Sequence, residues 1–237
     1  MTDGGLPAPR GRVFYGRLRG KTLRPNQARL VRDLLPRLAL PGVVRPGAEG
    51  RAPVDLAALF GEGRPVWIEI GFGGGEHLAA LAAAHPEVGV LGAEPFVNGV
   101  AMALARIEAA GLGNVRIHAG DARDLLELLP EAALARVSLL YPDPWPKTRH
   151  RARRFMNAEN LAALARTTPP GAELRLATDI ADYARHALSE AAAAPGFAVV
   201  GGPDDWATPW PGWRTTRYEA KALREGRRPQ YLIFRRV

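Results

Sequence analysis

The sequence predicts an α/β protein with a doubly wound, seven-stranded, mostly parallel sheet. From residue 65 onward, short runs of Val, Ile and Leu alternate with Ala- and Leu-rich stretches of helical length, which is the pattern of βα units. A loop rich in Trp and Pro separates the last two strand-like runs, which predicts a terminal hairpin. The chain has 237 residues, enough for one large α/β domain and too few for two such domains with linkers.

The individual elements follow from the positions of the aliphatic runs. The predicted strands are VWIEI (66–70), VGVLGA (88–93), VRIHA (115–119), VSLLY (137–141), ELRLAT (173–178), FAVV (197–200) and YLIFRR (231–236). Helices are predicted to begin near Glu76, Val97, Arg123, Asn157 and Ile180.

The first 50 residues differ from the rest, because they are rich in Arg, Gly and Pro and show little periodicity before a helix that is predicted to begin near Asn26. We predict a basic, partly flexible N-terminal arm at 1–50 and a single domain at 51–237. The N-terminal residues have no apolar stretch between their charges, and no run approaches the ~18 apolar residues that a membrane-spanning helix needs. We therefore expect a cytoplasmic protein without a membrane span, either monomer or homodimer.

Charge is segregated along this basic chain, whose formal net charge is +8. Residues 1–37 carry nine basic and two acidic side chains, and residues 55–138 carry five basic and eleven acidic ones. Residues 147–154 then add five basic side chains, and residues 214–237 carry eight basic and two acidic ones. Each run alone is compatible with an ordinary solvated surface. Together they predict a polyanionic partner held around a pocket for a cationic ligand.

The residue inventory excludes some chemistries. Without any cysteine the chain has no disulfides, no thiolate nucleophile and no Cys-ligated zinc. The five histidines show no HxxxH spacing, so we expect no metal.

A glycine-rich turn, EIGFGGG from Glu69, joins the first strand to a helix, and such turns let a ligand approach the backbone. A dinucleotide fingerprint would need glycine at position 76, but Glu76 stands there, where a pyrophosphate would sit. S-adenosylmethionine has no phosphate and carries a positive sulfonium, so it suits an acidic lining. Alone the turn is a weak signal, because dinucleotide-binding proteins use a similar one, but its acid favours S-adenosylmethionine over a dinucleotide, with Glu69, Gly71, Gly73 and Gly75 as the candidate contacts.

Two further acids follow the next two strands. Glu94 ends the second strand, where a carboxylate can accept both ribose hydroxyls, and Asp121 follows the third, where it can accept from an adenine amine. Each acid singly could be a helix cap or a surface charge. Acids at three successive strand ends beside a glycine turn favour a cofactor site.

The fourth strand leads into YPDPWPK, residues 141–147. Three prolines fix φ around one acid, Asp143, and one aromatic, Trp145, which predicts a stiff loop that positions an acceptor. The alternative is a proline-rich turn in which Trp145 covers the core.

At this point the chain resembles a known family, the tRNA (guanine-N7)-methyltransferases. The resemblance spans nearly the whole chain and depends on FYGRLRGKTLRPNQ, EIGFGGGEHL, GAEPF, GDARDLL, YPDPWPKTRHRARRF, ATDIADYA and TRYEAKALREGRRPQYLIF. It implies a class I S-adenosylmethionine-dependent fold, and a cofactor set of Glu69, Glu94, Asp121 and Asp143, with Asp143 at the centre of the active site. The substrate contacts that it implies are Lys147, Asp179, Thr216, Arg217, Tyr218 and Glu219, and its RNA contacts are Arg149, His150, Arg151, Arg153 and Arg154.

The implied reaction is methylation of guanine N7 in tRNA, at position 46 of the variable loop, with release of S-adenosylhomocysteine. N7 has an in-plane lone pair and no proton, so the reaction needs alignment and charge and no general base. Three alternatives stay open here: methylation of another nucleic-acid nitrogen, a non-catalytic RNA-binding protein with the same fold, and, for Asp179, a role as the cap of the helix near Ile180.

Overall fold

A computed structural model describes residues 14–237, and a seven-stranded sheet forms its centre. The strand order is β3-β2-β1-β4-β5-β7-β6, in which β1 to β5 run parallel and β7 runs antiparallel to both β5 and β6. The predicted fold class is confirmed. The strands are β1 Val66–Ile70, β2 Gly89–Ala93, β3 Val115–His118, β4 Arg136–Leu140, β5 Glu173–Thr178, β6 Phe197–Val200 and β7 Gln230–Arg236.

Helices connect these strands and flank the sheet. In residues 14–237 they are α1 Pro25–Asp33, α2 Leu35–Leu38, α3 Leu56–Phe60, α4 Glu76–Ala84, α5 Val97–Ala109, α6 Ala122–Leu128, α7 Ala158–Thr167, α8 Ala181–Ala193 and α9 Arg217–Arg224. Every predicted helix start lies within one residue of an observed one. The sequence pattern did not predict α2, α3, α9 or the 3-10 segments Thr148–Arg153 and Asp205–Ala207. None of the helices described is long and apolar enough to cross a membrane.

Of the three apolar clusters among the described residues, the two larger ones pack on opposite faces of the sheet. One includes Leu125, Leu164 and Tyr183 from α6, α7 and α8, and the other includes Leu78 and Leu104 from α4 and α5. The strand order reverses between β1 and β4, which opens a crevice at the carboxyl ends of these strands. The fold therefore places a ligand site at that edge.

The segment before the sheet packs against this second core. Leu30 of α1 is fully buried there, and Arg29 forms a 2.7 Å ion pair with Glu108 of α5. Residues 25–38 thus contribute to the core. Flexibility of the arm at 1–50 stays a prediction, and residues 1–13 of that arm lie outside the described residues.

Candidate active site

A cavity of about 540 Å³ opens at the carboxyl ends of the parallel strands. This volume lies within the ~300–1,000 Å³ range of small-molecule sites. Its lining includes Gly71, Gly73, Glu94, Asp121, Asp143 and Tyr218, all of them predicted site residues.

The glycine turn forms one wall. Gly71 and Gly73 adopt φ of 71° and 56°, a left-handed conformation that favours glycine, and a Cβ on Gly71 would meet no atom within 4 Å. The turn therefore offers bare backbone to the cavity. Gly75, predicted as a cofactor contact, does not line the cavity; a Cβ there would lie 2.5 Å from that of Ala103, so its role is close packing against α5.

Glu94 joins this turn to the next strand. Its Oε2 accepts from the Gly73 amide at 2.8 Å and its Oε1 from the Phe96 amide at 2.9 Å. Burial raises the pKa of the Glu94 carboxyl, and the nearby negative Asp143 adds to that rise. Each carboxylate oxygen can accept a second hydrogen bond, so capacity remains for ligand hydroxyls.

Glu69 lies behind the turn, and its predicted cofactor contact needs correction. The carboxylate is 2% exposed, does not line the cavity, and lies 2.7 Å from Nδ1 of buried His77. The His77 ring packs in turn against Trp213, at 5.6 Å between centroids. Glu69 therefore supports the turn from beneath, through a histidine that no sequence pattern had pointed to.

Asp121 lies at the cavity where α6 begins. Its side chain accepts from the Arg123 amide at 3.0 Å, which makes it the N-cap of the helix. The Arg123 guanidinium also pairs with this carboxylate and lines the cavity, and its pKa is raised chiefly by that hydrogen bond. Asp121 thus lines the cavity, as predicted, and also caps α6, which was the alternative. Arg123 is a cavity residue that the sequence did not predict.

The loop from 141 to 147 holds Asp143 at the cavity mouth, where it is exposed. Tyr141 and Trp145 flank it with φ of 51° and 40°, which costs non-glycine residues roughly 1–3 kcal/mol each. The Tyr141 amide donates to the Ala177 carbonyl at 2.7 Å, and its ring stacks at 6.4 Å on that of Tyr218. Tertiary contacts therefore impose the shape of this loop.

Arg154 is the chief of those contacts, so its predicted RNA contact is wrong. Its side chain is fully buried. The guanidinium donates to the Pro144 carbonyl at 2.9 Å, the Trp145 carbonyl at 3.4 Å and the Asp182 carboxylate at 2.6 Å. Arg154 fastens the Asp143 loop to α8.

The other predicted RNA contacts lie on the 3-10 segment after this loop. Arg149 and Arg151 are exposed, as is Lys147 before them. The Arg153 guanidinium lies 4.2 Å from the ring centroid of Tyr15 and 5.0 Å from that of Trp145. His150 packs edge to face on the same indole, at 5.8 Å between ring centroids.

The predicted substrate residues near the C-terminus fall into two groups. Tyr218 lines the cavity, and the exposed Arg217 lies beside it, donating to its hydroxyl at 3.1 Å. Thr216 instead caps α9, accepting from the Glu219 amide at 3.1 Å, and buried Glu219 accepts from the Trp213 indole. Thr216 and Glu219 act on α9 and do not line the cavity.

Asp179 lies after β5 and pairs with Arg227. The N-cap position of α8 is Ile180, so the capping alternative for Asp179 is wrong. Neither Asp179 nor Lys147 lines the cavity.

One contributor lies far away in the sequence. Tyr15 lines the cavity, and its ring meets Trp145 edge to face at 6.4 Å. Nearby, the Val97 amide donates to the Leu18 carbonyl at 3.0 Å, so residues near Tyr15 lie over the start of α5. A lone tyrosine in a basic segment gives no periodic signal, so this contact could not be found from the sequence.

The lining suits S-adenosylmethionine. Three carboxylates, Glu94, Asp121 and Asp143, line the cavity at the strand ends and would stabilise a sulfonium bound close to them. Three arginines, Arg17, Arg123 and Arg153, also line the cavity, and Arg123 pairs with Asp121. A phosphate is disfavoured, because the Glu76 carboxylate lies in the first turn of α4 and pairs with Arg106 at 3.0 Å. Within residues 14–237 no cluster of three or more His, Asp or Glu could hold a metal ion.

Sheet order, glycine turn and acidic strand ends together define a class I S-adenosylmethionine-dependent methyltransferase. The fold resembles a 16S rRNA methyltransferase, KamB (TM-score 0.52, 18% identity, 77% of this chain and 90% of that one). It also resembles an antibiotic-related methyltransferase (TM-score 0.51, 17% identity, 84% of this chain and 100% of that one).

The sequence comparisons are more specific. The family described as "Putative methyltransferase" matches residues 63–231. A tRNA (guanine-N(7)-)-methyltransferase of Ruegeria sp. (strain TM1040) is 54% identical, over 95% of this chain and 88% of the relative. A second enzyme of the same name, from Roseobacter denitrificans, is 53% identical, over 94% of this chain and 95% of the relative. The chain belongs to the tRNA (guanine-N(7)-)-methyltransferase family.

Proposed function

We propose that this protein transfers the methyl group of S-adenosylmethionine to N7 of guanine 46 in the variable loop of tRNA, releasing S-adenosylhomocysteine, in the cavity at the strand ends. Identity above 50% to enzymes of this name over nearly the full chain carries the proposal. The carboxylates at the strand ends of the cavity, with exposed arginines nearby, support it. Because its substrate is tRNA, we place the protein in the cytoplasm.

The predicted cofactor residues that line the cavity have separate tasks in this reaction. S-adenosylmethionine, when bound, supplies an electrophilic methyl group on a sulfonium. Glu94 and Asp121 offer acceptors for ribose hydroxyls and the adenine amine at two neighbouring strand ends. Gly71 and Gly73 let the amino-acid portion of the cofactor approach the backbone.

Asp143 acts by position and charge. Guanine N7 carries no proton, so no residue has to act as a base. A carboxylate held at the cavity mouth can accept from an N–H of guanine or of the cofactor, and it offsets the positive charge that develops on the purine. The ring of Tyr218 gives the base a flat apolar wall, with Tyr141 behind it.

The exposed cations Lys147, Arg149 and Arg151 lie at the end of the loop that carries Asp143 and on the 3-10 segment that follows it. Phosphate contacts of this kind position an RNA without reading its bases. The structure of the folded tRNA would then select which guanine reaches the cavity.

The test is incubation with methyl-labelled cofactor and an unmodified tRNA transcript, followed by nucleoside analysis. We expect 7-methylguanosine and no label in a matched transcript with adenine at position 46. Label on another nucleoside would favour the alternative of a different acceptor nitrogen. Tight cofactor binding without transfer to tRNA would favour a non-catalytic RNA-binding protein.

A further inference from the structure

A second, smaller cavity of about 40 Å³ lies on the sheet face, away from the cofactor cavity. The α4 helix forms one wall and residues 210–212 form the other, while β4 and β5 form the floor. Its lining includes His77, His85, Arg136, Ser138, Arg175 and Trp210. We call it the Arg136 niche.

Strand register gives the floor of this niche an excess of positive charge. Arg136 of β4 pairs with Glu173 of β5, which pairs with Arg235 of β7, so the three lie in one row. Arg175 is two residues beyond Glu173, so it points to the same face. This part of the sheet face therefore carries three guanidiniums and one carboxylate, a net charge of +2, and of these Arg136 and Arg175 line the niche.

That carboxylate is already engaged. Arg175 donates to Glu173 at 2.8 Å, and Arg235 lies 3.5 Å from its other oxygen. The other acid near the floor, Glu69, is held by His77. Neither acid is within ion-pair distance of Arg136.

Arg136 therefore has no ion-pair or hydrogen-bond partner among residues 14–237. Its guanidinium stacks on the indole of Trp67, 3.7 Å from the ring centroid. Stacking occupies the faces of the guanidinium and leaves its N–H edge unused. Burial and the neighbouring Arg175 lower the pKa of Arg136 to about 10, so the side chain is still charged at neutral pH. A half-buried, stacked cation with a free donor edge is the arrangement that binds an oxyanion.

We propose that the Arg136 niche binds one phosphate-type oxyanion, through the guanidiniums of Arg136 and Arg175 with the Ser138 hydroxyl at the floor. The cavity holds about three waters' worth of space, which fits one tetrahedral anion and not a nucleotide. The anion is either free phosphate or one phosphodiester of a bound RNA. Binding of free phosphate would be independent of the proposed function. Binding of an RNA phosphodiester rests on the proposed function, because it requires that the protein binds tRNA.

The position of the niche separates it from the reaction site. Arg136 begins β4 and Asp143 follows its end, and five residues of strand span about 17 Å. A phosphodiester here would thus belong to a part of the RNA beyond the nucleotide in the cofactor cavity.

The first arm of the test uses inorganic phosphate alone, titrated calorimetrically into the full chain at constant ionic strength. We expect binding in the wild type and in Arg45→Gln, a matched control at an exposed arginine outside the niche. Arg136→Gln and Arg175→Gln should each weaken binding at least about tenfold, the scale of one charge-assisted pair. Equal phosphate affinity in wild type and Arg136→Gln would overturn the proposal.

Folding is checked in the same samples. The phosphate-induced rise in Tm is measured for each variant against its own phosphate-free baseline, so lower intrinsic stability does not hide an absent response. Arg136→Lys keeps the charge without the planar fork and should bind phosphate with intermediate affinity. A Tm response of Arg136→Gln equal to that of the wild type would also overturn the proposal.

The second arm identifies the source of the anion from tRNA binding at several salt concentrations. If the niche holds an RNA phosphodiester, Arg136→Gln lowers the log–log salt slope by roughly 0.7 to 0.9 and leaves cofactor affinity unchanged. If Arg136→Gln abolishes phosphate binding but keeps the wild-type slope, the niche binds free phosphate. Failure of tRNA methylation would refute the proposed function and leave the phosphate titration unaffected.

Discussion

Gly73 and Glu94 are joined by a 2.8 Å hydrogen bond that locks the glycine turn to the end of β2. The carboxylate fixes the turn with one oxygen and the start of α5 with the other, through Phe96. One side chain thus shapes the cavity and offers acceptors to its ligand. Substitution of Glu94 should for that reason affect cofactor binding more than most changes of a surface acid.

Glu94→Ala should weaken S-adenosylmethionine binding by about 1 to 3 kcal/mol, because it leaves buried donors without an acceptor. Titration calorimetry without RNA measures this. Glu76→Ala is the matched control, since Glu76 lies after the same turn but outside the cavity lining. Unchanged affinity in folded Glu94→Ala would remove Glu94 from the cofactor site.

Glu94 should also make the stability of the protein depend on pH. Burial raises its pKa above the ordinary 4.5, so the folded state binds the proton more tightly than the unfolded chain. The contribution to the free energy of unfolding is then full below the unfolded pKa and disappears as the pH rises through the folded pKa. We expect the difference in unfolding free energy, wild type minus Glu94→Gln, to be largest near pH ~4 and to shrink toward neutral pH. Urea unfolding across that interval measures it, and a difference that grew with pH would contradict the assignment.

Asp143→Ala should lower kcat at least ~100-fold, the scale of removing one preorganised electrostatic group. Asp143→Asn keeps part of the geometry, so its kcat should lie between those of the wild type and Asp143→Ala. Because N7 has no proton, single-turnover rates of the wild type should be nearly flat from about pH 6 to 8.5. A tenfold rise per pH unit that vanished in Asp143→Asn would mean that Asp143 removes a proton and that N7 is not the acceptor.

The exposed pair Arg149 and Arg151 should act mainly on RNA, although Arg151 also pairs with Asp182 at 3.1 Å. Their double replacement by Gln should raise KM for tRNA and lower the log–log salt slope by roughly 0.7 to 0.9 for each phosphate that the variant no longer neutralises. Cofactor affinity should stay as in the wild type, and Tm should change little, because the Arg151–Asp182 ion pair that is lost is partly exposed. Filter binding of tRNA at several salt concentrations measures this slope. An unaltered slope would mean that this segment is an ordinary solvated surface.

Arg154→Gln should behave differently, although Arg154 belongs to the same basic run. It removes charge-assisted hydrogen bonds made by a fully buried guanidinium, so we expect about 1.5 to 3 kcal/mol lower stability in urea. Release of the loop should also lower kcat, while the salt slope of tRNA binding stays unchanged. If Arg154→Gln kept the stability of the wild type but had a reduced salt slope, Arg154 would be a phosphate contact of the RNA after all.

The sequence predicted the parts of the site that depend on position along a strand. Acids placed directly after successive parallel strands must meet at one edge, so Glu94 and Asp121 could be assigned together, while Asp143 was assigned from the proline-rich loop and the family resemblance. Strand positions were found because β-branched runs contrast with their neighbours. The α9 helix was missed because it has only 8 residues and packs through a polar contact between buried Glu219 and the Trp213 indole, which has no periodic signal.

The burial and partners of side chains that depend on tertiary contacts could not be predicted from the sequence. Arg153 and Arg154 are adjacent and identical in type, yet one stacks on Tyr15 and the other is buried against Asp182. Which of them turns inward is decided by the 3-10 turn and by an acid 28 residues later. Nor does any local pattern pair Asp179 with Arg227, which lies 48 residues away.

The two left-handed residues that flank Asp143 also limit how this loop could be moved between proteins. An isolated YPDPWPK peptide would relax at Tyr141 and Trp145, because nothing within the peptide replaces the bonds from Ala177 and Arg154. A designer who grafts the loop onto another parallel strand would have to transplant a buried arginine and an acid on a following helix as well. The strand, the loop and the distant residues that hold the loop would therefore have to be transferred together. The heptapeptide alone would keep the sequence of the motif but not its conformation.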